Sequence, residues 1–394
     1  MGTEVFERYG RVADYRTLPL SEMQAIVSRF EERVNVAQLA NPATKESVKK
    51  AISRAGAQRC PVRLNRLSMD VIIRYGDALA DLFCLFPDDL VLVQAYEFTI
   101  GYQTPNQKDH ISSLQALMQA GEWTDEWGTR WGHAFGGVGA TPVQTPIRDW
   151  SQLDDYLANR MPDPHASGRL DSALRALAIH GETKYCVGAI HMALFERLHA
   201  LRGMENVLAD LCTFETEICR LCEALTHYLI ELIREWGKTN VSAIYLTDDW
   251  GSQTGIMISP KMWRRYFKVH YRRIFEEIHR FGKGVFFHSC GNIMDIIPDL
   301  IDLGVDVVDP IQPGAMDLNE VARKFGGRTS FSGGIDAQRL ENCTAEEVKH
   351  MVRGAIATLG RPFRNGYVVS PANLVVPSVP FENLQALFEA CHEQ

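Results

Sequence analysis

Short β-rich runs alternate with longer helical runs along most of this chain. Between the strands, apolar residues recur at the three- and four-residue spacing of amphipathic helices, as in the segment 207–236. This alternation is typical of parallel sheets with crossover helices. Eight strands favour a closed (β/α)8 TIM barrel of the α/β class over an open sheet. The predicted strands are 60–65, 90–95, 185–190, 243–247, 284–287, 305–309, 329–332 and 367–370.

Two segments fall outside this regular alternation. Residues 1–57 contain a capping box from Ser21 to Gln24 followed by apolar residues at helical spacing, which predicts an N-terminal helical extension. Residues 97–183 form a long insertion after the second strand, rich in Trp and Gly, and we expect it to be a lid or entrance wall. The rest of 58–394 is predicted to be one barrel domain.

Composition narrows the class of partner. With 46% hydrophobic and 23% charged residues the chain is typical of a globular protein, and its net charge of −8 disfavours binding to nucleic acid or anionic membranes. No apolar run approaches the roughly 18 residues of a membrane span. The nine cysteines are scattered and odd in number, so we expect thiols rather than a disulfide framework. A cytoplasmic protein that binds a small molecule or another protein is predicted.

The strongest candidate chemistry lies at the end of the fifth predicted strand, where His288 and Cys290 follow an apolar run. In a barrel, the C-terminal ends of the strands carry the chemistry. Residues two apart in a strand point to the same side, so imidazole and thiolate could share one zinc ion. By spacing alone, a core histidine beside a small buried cysteine is an equal alternative.

Further polar residues follow three other predicted strands. Asp248 and Asp249 end the fourth strand, and one of them could face a pocket while the other caps a helix or accepts from backbone amides. Gln312 follows the sixth strand, and Asp336 follows the paired glycines after the seventh. Such glycines let backbone amides approach an anion, although a plain turn is the alternative.

Five strings, in order along the chain, resemble the uroporphyrinogen decarboxylase superfamily. Within it they resemble the branch of zinc methyltransferases that serve corrinoid proteins. The similarity spans most of the chain, and its specificity comes from the ordered set rather than from any one string. The strings are Thr247-Asp-Asp-Trp-Gly251, Phe287-His-Ser-Cys-Gly-Asn292, Pro310-Ile-Gln312, Gly333-Gly-Ile-Asp-Ala-Gln338 and Ser370-Pro371 with Pro380-Phe-Glu-Asn383.

The resemblance implies a barrel with its pocket at the strand C-termini, a frequently dimeric state and a zinc site. His288 and Cys290 match the family's His-x-Cys ligand pair. Its third ligand is typically a cysteine after the eighth strand, where this chain has Asn373. Because an amide oxygen is a poor zinc ligand, either a carboxylate from Asp248, Asp249 or Glu97 completes the site, or zinc binds weakly or not at all.

These implications lead to a specific functional prediction. The protein is expected to be a zinc-assisted methyltransferase that moves a methyl group between a small methylated compound, such as an ether, amine or thiol, and a corrinoid on a partner protein. Asp248 or Asp249 would act as third ligand or proton-transfer group. Zinc would act as a Lewis acid on the substrate or lower the pKa of a bound thiol, and the first role is favoured. Glu97, Gln312, Asp336 and Asn373 would contact the substrate.

Two other functions stay open. Decarboxylation of a porphyrinogen or other acid without metal is the second enzymatic reading, although the arginine-rich string with which that branch anchors substrate propionates is missing here. Arg59, Arg63 and Arg66 would have to replace it. A non-catalytic barrel that binds a corrinoid or tetrapyrrole is the third reading, and the substitution at Asn373 favours it.

Overall fold

The computed structural model describes residues 17–40, 44–95, 121–133 and 141–394. The strands are β1 (Leu90–Gln94), β2 (Gly121–Thr124), β3 (Arg130–His133), β4 (Thr141–Gln144), β5 (Tyr185–Ile190), β6 (Ala243–Thr247), β7 (Gly284–His288), β8 (Val307–Ile311), β9 (Ser330–Ile335) and β10 (Tyr367–Pro371). The helices are α1 (Leu20–Ala40), α2 (Lys45–Ile52), α3 (Met69–Leu85), α4 (Leu153–Asn159), α5 (Asp171–His180), α6 (Phe195–Arg202), α7 (Met204–Thr213), α8 (Glu215–Gly237), α9 (Pro260–Tyr266), α10 (Lys268–Arg280), α11 (Ile297–Asp302), α12 (Leu318–Phe325), α13 (Ala345–Ala355) and α14 (Phe381–His392).

The chain divides into two compact units. Unit 1 comprises Met1–Val91, Ile179–Tyr185 and Val307–Gln394, and unit 2 comprises Leu92–Ala178 and Cys186–Asp306. In each unit, parallel strands alternate with helices along the chain, which is the α/β pattern that the sequence predicts.

Unit 2 is organised around the parallel strands β5, β6 and β7. Every residue of β5 and β6 is buried, as expected for strands covered on both faces. The register pairs Thr247 at the end of β6 with His288 at the end of β7, so the segments that follow these strands leave the sheet side by side. A separate antiparallel sheet in unit 2 contains β2, β3 and β4.

Unit 1 contains the parallel strands β8, β9 and β10, with Val369 of β10 opposite Gly333 of β9. Helix α1 packs on α3, and the rings of Phe30 and Phe83 meet edge to face with centroids 5.7 Å apart. The apolar stripe of α1 therefore forms part of the core of unit 1, where it buries Val27 and Phe30.

The first predicted strand, 60–65, is represented by only one isolated parallel bridge, between Val62 and Val369. The physical reason lies in its hydrogen bonds. The amides of Leu64 and Asn65 donate to the carboxylate of Asp88, at 2.6 and 2.9 Å, rather than to a neighbouring strand. The amide of Val62 likewise donates to an Asp89 carboxylate oxygen at 2.8 Å. Carboxylates replace part of the ladder here.

Two further expectations meet the structure in part. The segment 207–236 is interrupted at Phe214, whose φ of −125° and ψ of 52° leave the helical region, so α7 and α8 are separate helices. The described part of the insertion 97–183 contains β2–β4 and helices, and its role as a lid stays a prediction, as do the domain boundaries. None of the helices in the described ranges has the length and apolar character of a transmembrane segment.

Candidate metal centre

The segments after β6 and β7 are joined by hydrogen bonds that bring their polar residues together. The amide of Asp248 donates to the carbonyl of His288 at 2.9 Å, which extends the ladder beyond Thr247. The amide of Cys290 then donates to Oδ1 of Asp249 at 2.8 Å. Three polar side chains from two neighbouring strand ends therefore converge because the register of β6 and β7 aligns them.

Glycines allow these two segments to approach closely. A Cβ atom on Gly251 would lie 2.7 Å from the amide nitrogen of Asn292, closer than real side-chain contacts. Gly291 has a φ of +77°, a conformation that favours glycine. The pairs Trp250-Gly251 and Cys290-Gly291 can therefore pass each other only because both turns lack side chains at these positions.

Asp249, His288 and Cys290 form the candidate metal centre. One ligand atom from each lies within 4.8 Å of the others. Nε2 of His288 is 3.4 Å from Sγ of Cys290 and 3.6 Å from Oδ1 of Asp249. The side chain of His288 is only 11% exposed whereas that of Asp249 is 38% exposed, so the centre opens on the side of the carboxylate.

This donor set fits a zinc ion. Zinc–ligand bonds of 2.0 to 2.3 Å in a tetrahedron place ligand atoms about 3.3 to 3.8 Å apart, and the two separations from Nε2 of His288 fall in that range. Imidazole, thiolate and carboxylate are all ordinary zinc ligands. Within the described residues, no other group of His, Cys, Asp and Glu brings three ligand atoms so close.

The two adjacent aspartates have different surroundings. Asp248 is fully buried, and its carboxylate accepts hydrogen bonds from the amides of Leu194, Phe195 and Glu196 at 2.8 to 3.0 Å and from the hydroxyl of Tyr271. Burial raises the pKa of Asp248 to about 6, although these donors oppose the shift. Asp248 therefore holds the start of α6, while Asp249 belongs to the candidate metal centre.

Two residues near the centre were not singled out from the sequence. The carboxyl group of Glu196 accepts from the Thr247 hydroxyl at 3.0 Å, and burial together with the nearby Asp249 and Asp248 charges raises its pKa to about 8. The hydroxyl oxygen of Tyr245 lies 2.7 Å from Nδ1 of His288. The sequence feature that could have identified Tyr245 is a tyrosine among the apolar residues of a predicted strand, because a buried hydroxyl needs a hydrogen-bond partner.

The predicted substrate-contacting residues Gln312, Asp336 and Asn373 belong to unit 1. They follow the neighbouring strands β8, β9 and β10 in turn. Gln312 is buried, and Oδ1 of Asp336 accepts from the amide of Gln338 at 3.1 Å. Asn373 is half-buried. Their roles stay predictions, and Glu97 lies outside the described residues.

Three side chains that could hold a metal ion lie together where two parallel strands end, and this defines the class of candidate site. Comparison with known proteins defines the family. The model of the family described as "Uroporphyrinogen decarboxylase (URO-D)" matches residues 136–394. This match covers well over half of the chain. The chain belongs to the uroporphyrinogen decarboxylase family, as its sequence motifs predict.

Individual relatives are distant. The chain is 24% identical over 185 residues to a uroporphyrinogen decarboxylase of Legionella pneumophila, covering 45% of this chain and 47% of that protein. It is 24% identical over 177 residues to that of Thermus thermophilus, covering 44% and 48%. The matched region thus spans about half the length of these curated relatives.

A solved structure, a methyltransferase from Methanosarcina mazei, is similar over 90% of this chain and 99% of its own, with a TM-score of 0.63 and 15% identity. At this identity the likeness concerns the fold alone. It confirms the TIM-barrel-like α/β fold that the alternating pattern predicts.

Proposed function

We propose that this protein is a zinc-assisted methyltransferase that moves a methyl group between a small methylated compound and a corrinoid carried by a partner protein. The observation that carries the proposal is the convergence of Asp249, His288 and Cys290. The family's usual third cysteine is replaced by Asn373, and the carboxylate of Asp249 supplies a third donor instead. The structural neighbour from Methanosarcina mazei is itself a methyltransferase, which supports the same class of reaction.

Charge supports the assignment of the three ligands. A carboxylate, a thiolate and a neutral imidazole carry two negative charges, which balance one divalent cation. When bound, zinc would supply Lewis acidity to the heteroatom of an ether, amine or thiol substrate. That heteroatom would then release the methyl group more readily. The half-exposed carboxylate of Asp249 leaves the open side of the centre for substrate.

The surrounding residues then have defined roles in the proposal. Asp248 holds the start of α6 through three backbone amides and thereby fixes the strand end that carries Asp249. Glu196, whose pKa is raised to about 8, is held next to the centre by the Thr247 hydroxyl. The corrinoid is a co-substrate in this proposal, brought by the partner protein.

Decarboxylation of an acid is the second candidate, because the curated relatives carry the name uroporphyrinogen decarboxylase. The contacts of the buried arginines of unit 1 help to decide between the two candidate functions. Arg66 already makes two contacts of 2.8 and 3.0 Å with Asp309, so its guanidinium is engaged with a carboxylate of the protein itself. This observation favours the metal centre over the arginines as the site of chemistry.

The decisive experiment combines metal analysis with two activity assays. Purified wild-type protein is expected to contain about one zinc per chain, and His288→Ala to contain none. With free cob(I)alamin and a panel containing a methyl ether, a methylamine and a methyl thioether, the wild type should form methylcobalamin, which is followed by its visible spectrum.

The control is Cys219→Ala, which removes an exposed cysteine outside the centre and should change neither metal content nor methyl transfer. Consumption of uroporphyrinogen by metal-free protein would instead establish the decarboxylase. A metal content that is unaffected by His288→Ala would exclude the centre proposed here.

A further inference from the structure

We infer that Tyr245 is a positioning residue of the metal centre, whose hydroxyl holds His288 in the orientation and tautomer that present Nε2 to Asp249 and Cys290. The inference rests on the proposed zinc site. It adds to that site a residue outside the His-x-Cys ligand motif. Its basis is the 2.7 Å separation between the hydroxyl oxygen of Tyr245 and Nδ1 of His288.

Strand geometry explains why this contact forms. Tyr245 lies opposite Phe286 in the register of β6 and β7, and His288 is two residues further along β7, on the same face as Phe286. A tyrosine side chain is long enough to reach such a diagonal neighbour. Both side chains are buried, with residue exposures of 3% for Tyr245 and 9% for His288, so water does not readily replace the hydroxyl.

The direction of this hydrogen bond decides which nitrogen of the imidazole can bind a metal. A neutral imidazole carries one N–H and one lone pair. When Nδ1–H donates to the Tyr245 hydroxyl oxygen, the lone pair is on Nε2, the atom that lies 3.4 Å from the sulfur of Cys290. As the acceptor of this hydrogen bond, the hydroxyl stabilises the tautomer whose Nε2 lone pair can bind the metal.

Loss of the hydroxyl should weaken metal binding without removing a ligand. In Tyr245→Phe, Nδ1–H would lose its hydrogen bond to the Tyr245 hydroxyl, and the ring would lose a contact that restricts its rotation. Partners of this kind are typically worth about 10- to 100-fold in metal affinity. We therefore expect zinc affinity to fall by about 10- to 100-fold.

The test measures zinc affinity of the full chain by competition with a chromogenic chelator, and records the visible spectrum of the Co²⁺-substituted protein. The matched control is Tyr367→Phe, which removes another buried tyrosine hydroxyl, one that donates to the carbonyl of Gly333 in unit 1. This control should leave zinc affinity within about twofold of wild type. An equal loss of affinity in both variants would reduce the role of Tyr245 to general stability and overturn the inference.

A measurement on the wild type keeps the inference testable if Tyr245→Phe does not fold. In ¹⁵N-histidine-labelled protein, the His288 signals are assigned by their absence in His288→Ala. Zinc should yield a slowly exchanging Nδ1–H, whereas an Nε2–H in the zinc-bound protein would overturn the inference. If zinc binds through His288 with unchanged affinity in Tyr245→Phe, only the inference fails. If wild type binds no zinc through His288, the proposed function fails with it.

Discussion

Asp249, which follows β6 in unit 2, and Asp309, which lies inside β8 in unit 1, are carboxylates with different chemical consequences. In unit 2, the carboxylate of Asp249 is 38% exposed and lies 3.6 Å from the imidazole of His288 and within 4.8 Å of the sulfur of Cys290. In unit 1, the carboxylate of Asp309 is fully buried and accepts two contacts from Arg66, with Arg63 at 3.7 Å. The first carboxylate retains ligand capacity for a cation, whereas the second already neutralises a cation of the protein.

This comparison teaches that a carboxylate in or next to a strand is not by itself a functional signal. A buried charge must be paired, and the partner decides whether any ligand capacity is left. Asp248 makes the same point within unit 2, because backbone amides and Tyr271 occupy its oxygens although it is adjacent to Asp249.

The largest expected effect is on the buried carboxylate of unit 1. Asp309→Ala would remove the buried carboxylate that faces Arg63 and Arg66, and we expect the free energy of unfolding to fall by about 3–5 kcal/mol. Asp249→Ala should cost only about 1 kcal/mol, since it removes a half-exposed acceptor of one amide. Urea denaturation of both variants measures the difference. Equal losses would contradict the distinction between the two sites.

The second prediction is that Asp88 of unit 1 and His199 of unit 2 contribute to the pH dependence of stability with opposite sign. Burial raises the pKa of Asp88 in unit 1 to about 7, so between about pH 4 and 7 the folded state holds a proton that the unfolded chain has released. Its contribution to the free energy of unfolding therefore falls as pH rises. Burial lowers the pKa of His199 in unit 2 to about 4, so between about pH 6.5 and 4 the unfolded chain gains a proton first. Its contribution falls as pH falls.

Each of these contributions is on the order of 3 kcal/mol over its full window. The measurement is urea denaturation at intervals from pH 4.5 to 7. His199→Phe should remove the decrease in the free energy of unfolding that occurs as pH falls. Asp88→Asn should remove the decrease that occurs as pH rises. A variant whose pH dependence equals that of wild type would show that its residue does not carry the assigned shift.

A third prediction separates the adjacent aspartates of unit 2. Asp248→Asn replaces a carboxylate that accepts from three amides, and should lower the free energy of unfolding by about 2 kcal/mol. Asp249→Asn should be nearly neutral for stability but reduce zinc affinity by tenfold or more. Urea denaturation measures the stability of both variants, and chelator competition measures their zinc affinity. If a folded Asp248→Asn protein loses zinc binding while Asp249→Asn retains it, Asp248 rather than Asp249 is the zinc ligand.

The smallest expected effect concerns the crossing of the two turns. Gly251→Ala introduces a Cβ within 2.7 Å of the Asn292 amide, and we expect a loss of about 1–2 kcal/mol together with weaker zinc binding as the Cys290 turn shifts. Gly255→Ala is the matched control, because nothing lies within 4 Å of its Cβ position. If the two alanine variants behave alike, the close approach does not constrain the centre.

Much of the fold could be predicted because strand and helix periodicity are local properties. The predicted strands 185–190, 243–247 and 367–370 match β5, β6 and β10 within a residue. The run 60–65 also has the apolar pattern of a strand, yet Asp88 and Asp89 satisfy its amides. Those carboxylates are more than twenty residues away in the chain, so no local pattern could indicate the contact.

The sequence alone determined which ligand types are available, because His288 and Cys290 are two apart in a strand that delivers both to one side. It left Asp248, Asp249 and Glu97 as candidates for a third, carboxylate ligand, beside the alternative that zinc binds weakly or not at all. Only the tertiary structure decided that Asp249 lies beside them, that the Tyr245 hydroxyl lies 2.7 Å from the imidazole and that Arg66 contacts Asp309. These contacts depend on register and side-chain direction between residues 41 to 243 positions apart, and such relations exist only once the chain is folded.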